Sequence, residues 1–253
     1  MSAPVGIEPW SDAGAEPDYG FILAHELHAE VLHLGAEGEP VLVIDEVMER
    51  PTPLMTYAAR TARFAPLRRT GNFYPGVRAP APKAYVQGLY AALRPILART
   101  FGHDPASPAQ VTSALSLVTI PPESLNLAQR LPHFDTADAR QIAVLHYFCD
   151  ASHGGTAFYR HRATGYESIN EARSGHYLET LTAELERLGP PAPRYVSGAT
   201  PLYDQIGRVE ARLNRVVAYR GRLLHSGVIL QPDALSSDPR VGRLTANTFV
   251  TVD

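Results

Sequence analysis

Hydrophobic and polar positions along the chain follow two rhythms, one before and one after about residue 110. Ala29–Leu34 and Pro40–Val47 alternate like strands around Gly35-Ala-Glu-Gly38, which predicts a hairpin. Thr52–Phe64 has helical spacing, with Pro51 and Pro53 near its start, where a missing N–H is tolerated. Thr70–Gly76 and the prolines at 80 and 82 predict a loop. Lys83–Phe101 carries Tyr85, Leu89, Leu93, Ile96 and Leu97 on one side and ends at Gly102, an amphipathic helix with Pro95 expected to kink it. Beyond Gln110 short β-type runs take over: Val111–Ile120, Gln141–Cys149 and Thr156–Arg162. Glu167–Leu188 breaks the series as a helical insert, with Leu178, Leu181, Leu185 and Leu188 at helical spacing. After a proline-rich break at 190–193 come Arg208–Leu213, Val216–Tyr219, Leu223–Leu230 and Arg243–Val252, all strand-like. The pattern predicts a mainly β fold with helices buttressing a sheet, a sandwich or barrel-like jelly roll. It predicts one domain over residues 21–253, with an insert near 163–207 and a leader over residues 1–20.

Composition narrows the function without choosing it. A chain of 253 residues can bury a sizeable core. The formal charge of −3 offers no electrostatic basis for a nucleic-acid partner or an anionic membrane. No apolar run reaches the roughly 18 residues of a membrane span, and Met1–Trp10 lacks the basic start and apolar segment of a signal peptide. Cys149 is the single cysteine, so no internal disulfide can form. The expectation is a cytoplasmic protein acting on a small molecule or a peptide.

The candidate chemistry begins at Leu131-Pro-His-Phe-Asp-Thr136. His133 and Asp135 are two apart, so on an extended backbone both side chains leave one face. His225, at the end of an apolar strand-like run, is the natural third ligand. Two imidazoles and a carboxylate with open remaining positions suit non-haem Fe(II). In a strand starting at Arg243, that residue, Thr245, Asn247 and Phe249 share a face. A guanidinium, a hydroxyl and an amide in a row are unusual on a core face unless something anionic binds there, and a guanidinium fork matches a carboxylate. Alternation also sets Tyr147 and His146 on opposite faces, so with Tyr147 toward a pocket His146 is no ligand. His146, His153, His161 and His176 each have an ordinary structural explanation, Arg160 and Arg162 read as solvated charges, and Cys149 reads as a buried apolar side chain.

Val144-Leu-His-Tyr-Phe-Cys-Asp150, Gly154-Gly-Thr-Ala-Phe158, Val216-Val-Ala-Tyr-Arg-Gly-Arg-Leu-Leu-His225 and Gly242-Arg243 together resemble the 2-oxoglutarate- and Fe(II)-dependent oxygenases, in particular their prolyl-hydroxylase-like branch. The resemblance covers roughly the second half of the chain, in the family's order. It implies a double-stranded β-helix, a jelly-roll variant, with helical support from the N-terminal side. It implies Fe(II) on His133, Asp135 and His225, with 2-oxoglutarate as cosubstrate and O₂ as oxidant. Arg243 would meet the distal carboxylate of 2-oxoglutarate, Tyr147 would hydrogen-bond it, and Thr245 or Asn247 would assist. The implied reaction is hydroxylation of a small molecule or an amino-acid side chain, with release of succinate and CO₂; a carboxylate at Asp135 disfavours halogenation. Phe-Cys-Asp after the tyrosine and the 163–207 insert depart from the family pattern, which leaves the substrate class open. The residues alone also admit a non-catalytic jelly-roll binding module, or a cupin-like iron enzyme that does not use 2-oxoglutarate.

Overall fold

The computed structural model describes residues 19–66 and 74–253, so most of the expected leader and Thr70–Phe73 of the expected loop lie outside the described residues. In chain order the elements are β1 (Ala29–Leu34), β2 (Glu39–Ile44), α1 (Thr52–Arg60), β3 (Ala65–Pro66), β4 (Gly76–Pro80), α2 (Lys83–Phe101), β5 (Ala109–Val118) and β6 (Gln141–Tyr147). They continue with β7 (Gly155–His161), α3 (Glu171–Leu188), β8 (Tyr203–Glu210), β9 (Arg215–Arg220), β10 (His225–Val228) and β11 (Leu244–Val252). Eight strands form one antiparallel sheet in the order β1-β2-β9-β6-β11-β5-β4-β3, and three form another in the order β10-β7-β8. The fold is therefore mainly β, with three α-helices among the described residues.

Alternation along each strand sorts side chains into layers. Leu42 and Ile44 of β2, Ile142 and Val144 of β6, Val216 and Ala218 of β9, and Leu244 and Ala246 of β11 join Leu54 of α1 and Leu89 of α2 in one apolar cluster. The helices thus cover one face of the large sheet. The opposite face sends Val41, Val43, Ala143, Val217 and Tyr219 against Phe158 of β7 and Val209 of β8. The small sheet is covered in turn by α3, through Tyr177 against Ala157, Tyr159 and Tyr203. A β-bulge at Phe158/Tyr159 shifts the β7–β8 register and allows Tyr203 to face α3 while Val209 faces the large sheet. The order of layers is helices, large sheet, small sheet, helix.

Several boundaries differ from the sequence reading for identifiable reasons. Gly76–Pro80, expected as loop, is strand β4 and pairs with Ala114–Val118; five residues flanked by prolines carry too little alternation to be recognised. The helix expected over Thr52–Phe64 stops at Arg60, and Ala65–Pro66 become β3. The strand expected from Arg208 begins at Tyr203, because residues 203–207 belong to β8 rather than to an insert. The rest of the expected insert is also integral. Glu167 accepts the N–H groups of Ala36 and Glu37 at 2.9 Å each, while the Glu37 carboxylate accepts the N–H groups of Glu167 and Ser168 at 3.2 Å each. Each glutamate grips the other's backbone, and Arg173 closes the exchange on Glu37 at 2.6 Å. Pro95 does not break α2, which runs from Lys83 to Phe101 as one helix ended by Gly102.

Candidate metal centre

Backbone pairing brings the three expected ligands together. His133 N–H donates to the His225 carbonyl at 2.9 Å and His225 N–H returns to the His133 carbonyl at 2.8 Å. Residues directly opposite in such a pair project to the same side, so the two imidazoles meet with ring centroids 4.4 Å apart. Asp135, two residues on, keeps that side, its N–H anchored on the Gly221 carbonyl at 2.7 Å. The donor atoms of His133, Asp135 and His225 lie within 4.8 Å of one another, and among the described residues no other three His, Cys, Asp or Glu side chains do so. Asp135 Oδ2 stands 3.7 Å from His225 Nε2; the backbone at Asp135 is open, but its side chain is only 19% exposed.

The imidazole of His225 is already oriented. Its Nδ1 lies 2.8 Å from the Leu223 carbonyl, which can only accept, so Nδ1 carries a proton and Nε2 is the nitrogen turned toward Asp135. Burial, with the like charges of His225 and Arg78, drives the His133 imidazole well below its ordinary value, which favours the uncharged form that a metal ligand needs. Burial raises the Asp135 carboxyl above the usual carboxylate range, opposed by His225 and Arg78.

Facing the triad is the inner side of the large sheet. One cross-strand row runs Arg215–Tyr147–Thr245–Ser116–Arg78 over β9, β6, β11, β5 and β4. Thr245 donates to Asn247 Oδ1 at 2.7 Å, and the hydroxyls of Tyr147 and Thr156 share a hydrogen bond of 2.6 Å that ties the two sheets. Arg243 lies just before β11, 5% exposed, with its guanidinium carbon 5.5 Å from the centre of the Tyr147 ring. Its Nη2 donates to the Gly155 carbonyl at 2.9 Å, while its Nε is buried with no hydrogen-bond partner. The Gly154-Gly155 pair lets the neighbouring backbone close in: a Cβ on either would overlap the backbone carbonyl of Val228 or Val209, and Gly154 has φ 102°. Tyr219 of β9 sets its ring centroid 4.7 Å from that of His225, tilted, and 5.1 Å from that of Phe158, edge to face, filling the layer between the sheets.

Other candidates have separate roles. His146 points into the helix layer, between the Tyr85 hydroxyl at 2.9 Å and Asn214 Oδ1 at 3.1 Å. His161 pairs with Glu184 at 2.8 Å, and His153 with Asp150 at 3.1 Å. Arg162 pairs with Asp204 at 2.7 Å, and Arg160 lies 3.6 Å from Glu167. Cys149 is buried, and burial pushes its thiol up to about 11. Arg78 and Tyr74 escaped the sequence reading. The Arg78 guanidinium lies 4.5 Å over the Tyr74 ring, and it is within electrostatic reach of both His133 and Asp135. A lone arginine between Val77 and Ala79 in a run bounded by prolines was the available signal.

Residues 25–250 match the profile of a family described as a family of unknown function, DUF6445. The chain belongs to the DUF6445 family. No curated protein matches this DUF6445 chain. Among solved structures, EvdO2 from Micromonospora carbonacea var. aurantiaca, in complex with 2-oxoglutarate, is similar at TM-score 0.43 and 12% identity, over 88% of this chain and 94% of that one. An N-substituted L-amino acid dioxygenase from Burkholderia ambifaria AMMD is similar at TM-score 0.38 and 12% identity, over 89% of this chain and 94% of that one. A bsmA homolog from Methylobium petroleophilum PM1 is similar at TM-score 0.31 and 14% identity, over 90% of this chain and 76% of that one. At such low overlap the functional reading of this DUF6445 chain rests on its own side chains. No helix of the described residues is long and apolar enough to cross a membrane.

Proposed function

We propose that this chain is a non-haem Fe(II)- and 2-oxoglutarate-dependent oxygenase, built on a double-stranded β-helix, that hydroxylates a small molecule or an amino-acid side chain. The observation that carries the reading is the gathering of His133, Asp135 and His225 within 4.8 Å, facing a sheet beside which the buried Arg243 guanidinium meets no carboxylate among the described residues. The donor set fits the metal: two imidazoles and one carboxylate are the ligands that leave open positions on Fe(II). With Fe(II) and 2-oxoglutarate bound, O₂ would supply the oxidising power for inserting a hydroxyl into a C–H bond, releasing succinate and CO₂.

The residues of the chain would do the positioning. The Leu223 carbonyl fixes the His225 tautomer, so Nε2 needs no reorientation to bind. Asp135 brings the negative charge that a divalent ion requires. Arg243, held by Gly155 and backed by the Tyr147 ring, would grip the far carboxylate of 2-oxoglutarate through its free Nε edge. Thr245 with Asn247, and Tyr147 with Thr156, keep their mutual hydrogen bonds and so fix the wall against which the cosubstrate would lie.

Anaerobic addition of Fe(II) and then 2-oxoglutarate tests the reading directly. A weak visible charge-transfer band that needs both is the expected result, and Arg243→Ala should weaken 2-oxoglutarate binding by about tenfold or more. A wild-type protein with no such band, or a variant that binds the cosubstrate as wild type does, would remove this function or the role of Arg243.

A further inference from the structure

Arg78 is a second cation in the same chamber, and the reaction as proposed leaves it without a use. It sits on β4 with its side chain on the inner face, in register with Ser116 of β5 and in the row that runs on to Thr245 and Tyr147. Its Nε is buried without a hydrogen-bond partner, and so is the Ser116 hydroxyl directly opposite. Among the described residues Arg78 forms no ion pair: Asp135 lies within electrostatic reach but outside salt-bridge distance. A charge held in such a place is costly unless something pairs with it. Two neighbouring donors with no acceptor call for a group that only accepts.

Charge points the same way. A divalent ion and Arg243 are matched by Asp135 together with the two carboxylates of 2-oxoglutarate. That leaves the guanidinium of Arg78 without a counterion. We propose that Arg78 and Ser116 receive a carboxylate of the primary substrate, and that this substrate is an acid whose apolar body lies toward Tyr74. The inference rests on the oxygenase reading of the site. The Tyr74 ring beneath the guanidinium belongs to an apolar cluster with Val118, Leu125, Tyr195 and Ile229, which suits an aliphatic or aromatic chain next to the acid group. A guanidinium over an aromatic face with one edge free is also well placed to take a carboxylate in fork geometry.

The test uses full-length protein labelled with ¹⁵N-arginine and loaded with Zn(II) and 2-oxoglutarate. The probes are paired acids and amides: phenylacetate with phenylacetamide, and N-acetyl-L-leucine with N-acetyl-L-leucinamide. The Arg78 Nε–H resonance, assigned by its loss in Arg78→Lys, should shift saturably with at least one acid and with neither amide. Arg78→Gln should weaken that acid by about tenfold or more while leaving 2-oxoglutarate affinity close to wild type. Ser116→Ala, which removes a hydroxyl that has no partner, should keep the fold and weaken the acid to a smaller degree. Equal shifts with acids and amides, no response to any acid, or a loss of 2-oxoglutarate affinity in Arg78→Gln as large as in Arg243→Gln would each overturn the assignment. The charge-transfer titration separates the two failures. With the band present and no acid response, only the role of Arg78 falls. Without the band in wild type, the oxygenase reading itself falls.

Discussion

His225 shows how little freedom the candidate metal centre leaves its side chains. One ring nitrogen is committed to the Leu223 carbonyl, the ring packs at a tilt against Tyr219, and its backbone is locked to His133 on both sides. A ligand held this way loses little entropy on binding a metal. Asp135 has no such packing; its contribution is charge. Asp135→Ala should therefore keep the fold but abolish 2-oxoglutarate-dependent succinate formation and lower Zn(II) affinity, measured by competition with a chelator. Near-normal succinate production by that variant would take Asp135 out of the metal shell. The triad was legible in the sequence because His-x-Asp is a local pattern and His225 ends a recognisable apolar run. Arg78 was not, since its neighbours in the site come from β5 and β11, and no local pattern records cross-strand register.

On single strands the division of labour is visible in alternate residues. β6 sends Ala143 and Tyr147 toward the small sheet and Ile142, Val144 and His146 toward the helices, as the alternation in the sequence predicts. Buried in the helix layer, His146 is held at about 3 by desolvation, against the bond to Asn214, which favours the charged form. The Asn214 oxygen also takes the Met48 N–H, so it accepts from His146 Nε2–H, and Nδ1 accepts from Tyr85. A histidine whose folded value lies below its unfolded one stays neutral in the fold while the unfolded chain takes up a proton. Stability then falls as pH drops from about 6.5 toward about 3, by about 1.4 kcal/mol per pH unit from this group. His146→Gln should lower stability at pH 7 by about 1–3 kcal/mol yet show a shallower loss between pH 7 and pH 5 in urea unfolding. An unchanged acid slope would mean that His146 is not the group responsible. On β7, Gly155→Ala would force a methyl into the Val209 carbonyl; a cost of about 1–3 kcal/mol and weaker 2-oxoglutarate binding are expected, since the Gly155 carbonyl also holds Arg243. Strand ends were less legible than strand faces. Tyr203–Gly207 follow a proline-rich stretch and reach their place only through the bulge opposite Phe158/Tyr159.

In the whole molecule the large sheet meets two different environments, an apolar helix layer on one side and, on the other, an apolar cluster bordered by the polar row that faces the triad. The candidate metal ligands come from two segments that are far apart in sequence and joined by the bridge at His133 and His225 and by the Asp135 N–H on the Gly221 carbonyl. A bound ion would tie them together in the folded state only. At a hundredfold excess over its Kd, Zn(II) should add about 2.7 kcal/mol and raise Tm by several degrees, an effect that EDTA reverses and His225→Ala lacks. Equal shifts in wild type and variant would show the ion binding elsewhere. The layering could be anticipated from amphipathic runs, whereas the pairing of β2 with β9 could not, because strands so distant in sequence leave no local trace. The glutamate exchange extends this dependence on distant partners. Glu167, gripped by the N-terminal hairpin, offers its carbonyl to Leu224 N–H at 2.8 Å, one residue before His225. A turn with no chemistry of its own thus acts as a remote brace for the ligand arm. Glu167→Ala would uncouple the hairpin from that brace while both sheets and all three candidate ligands stayed in the chain.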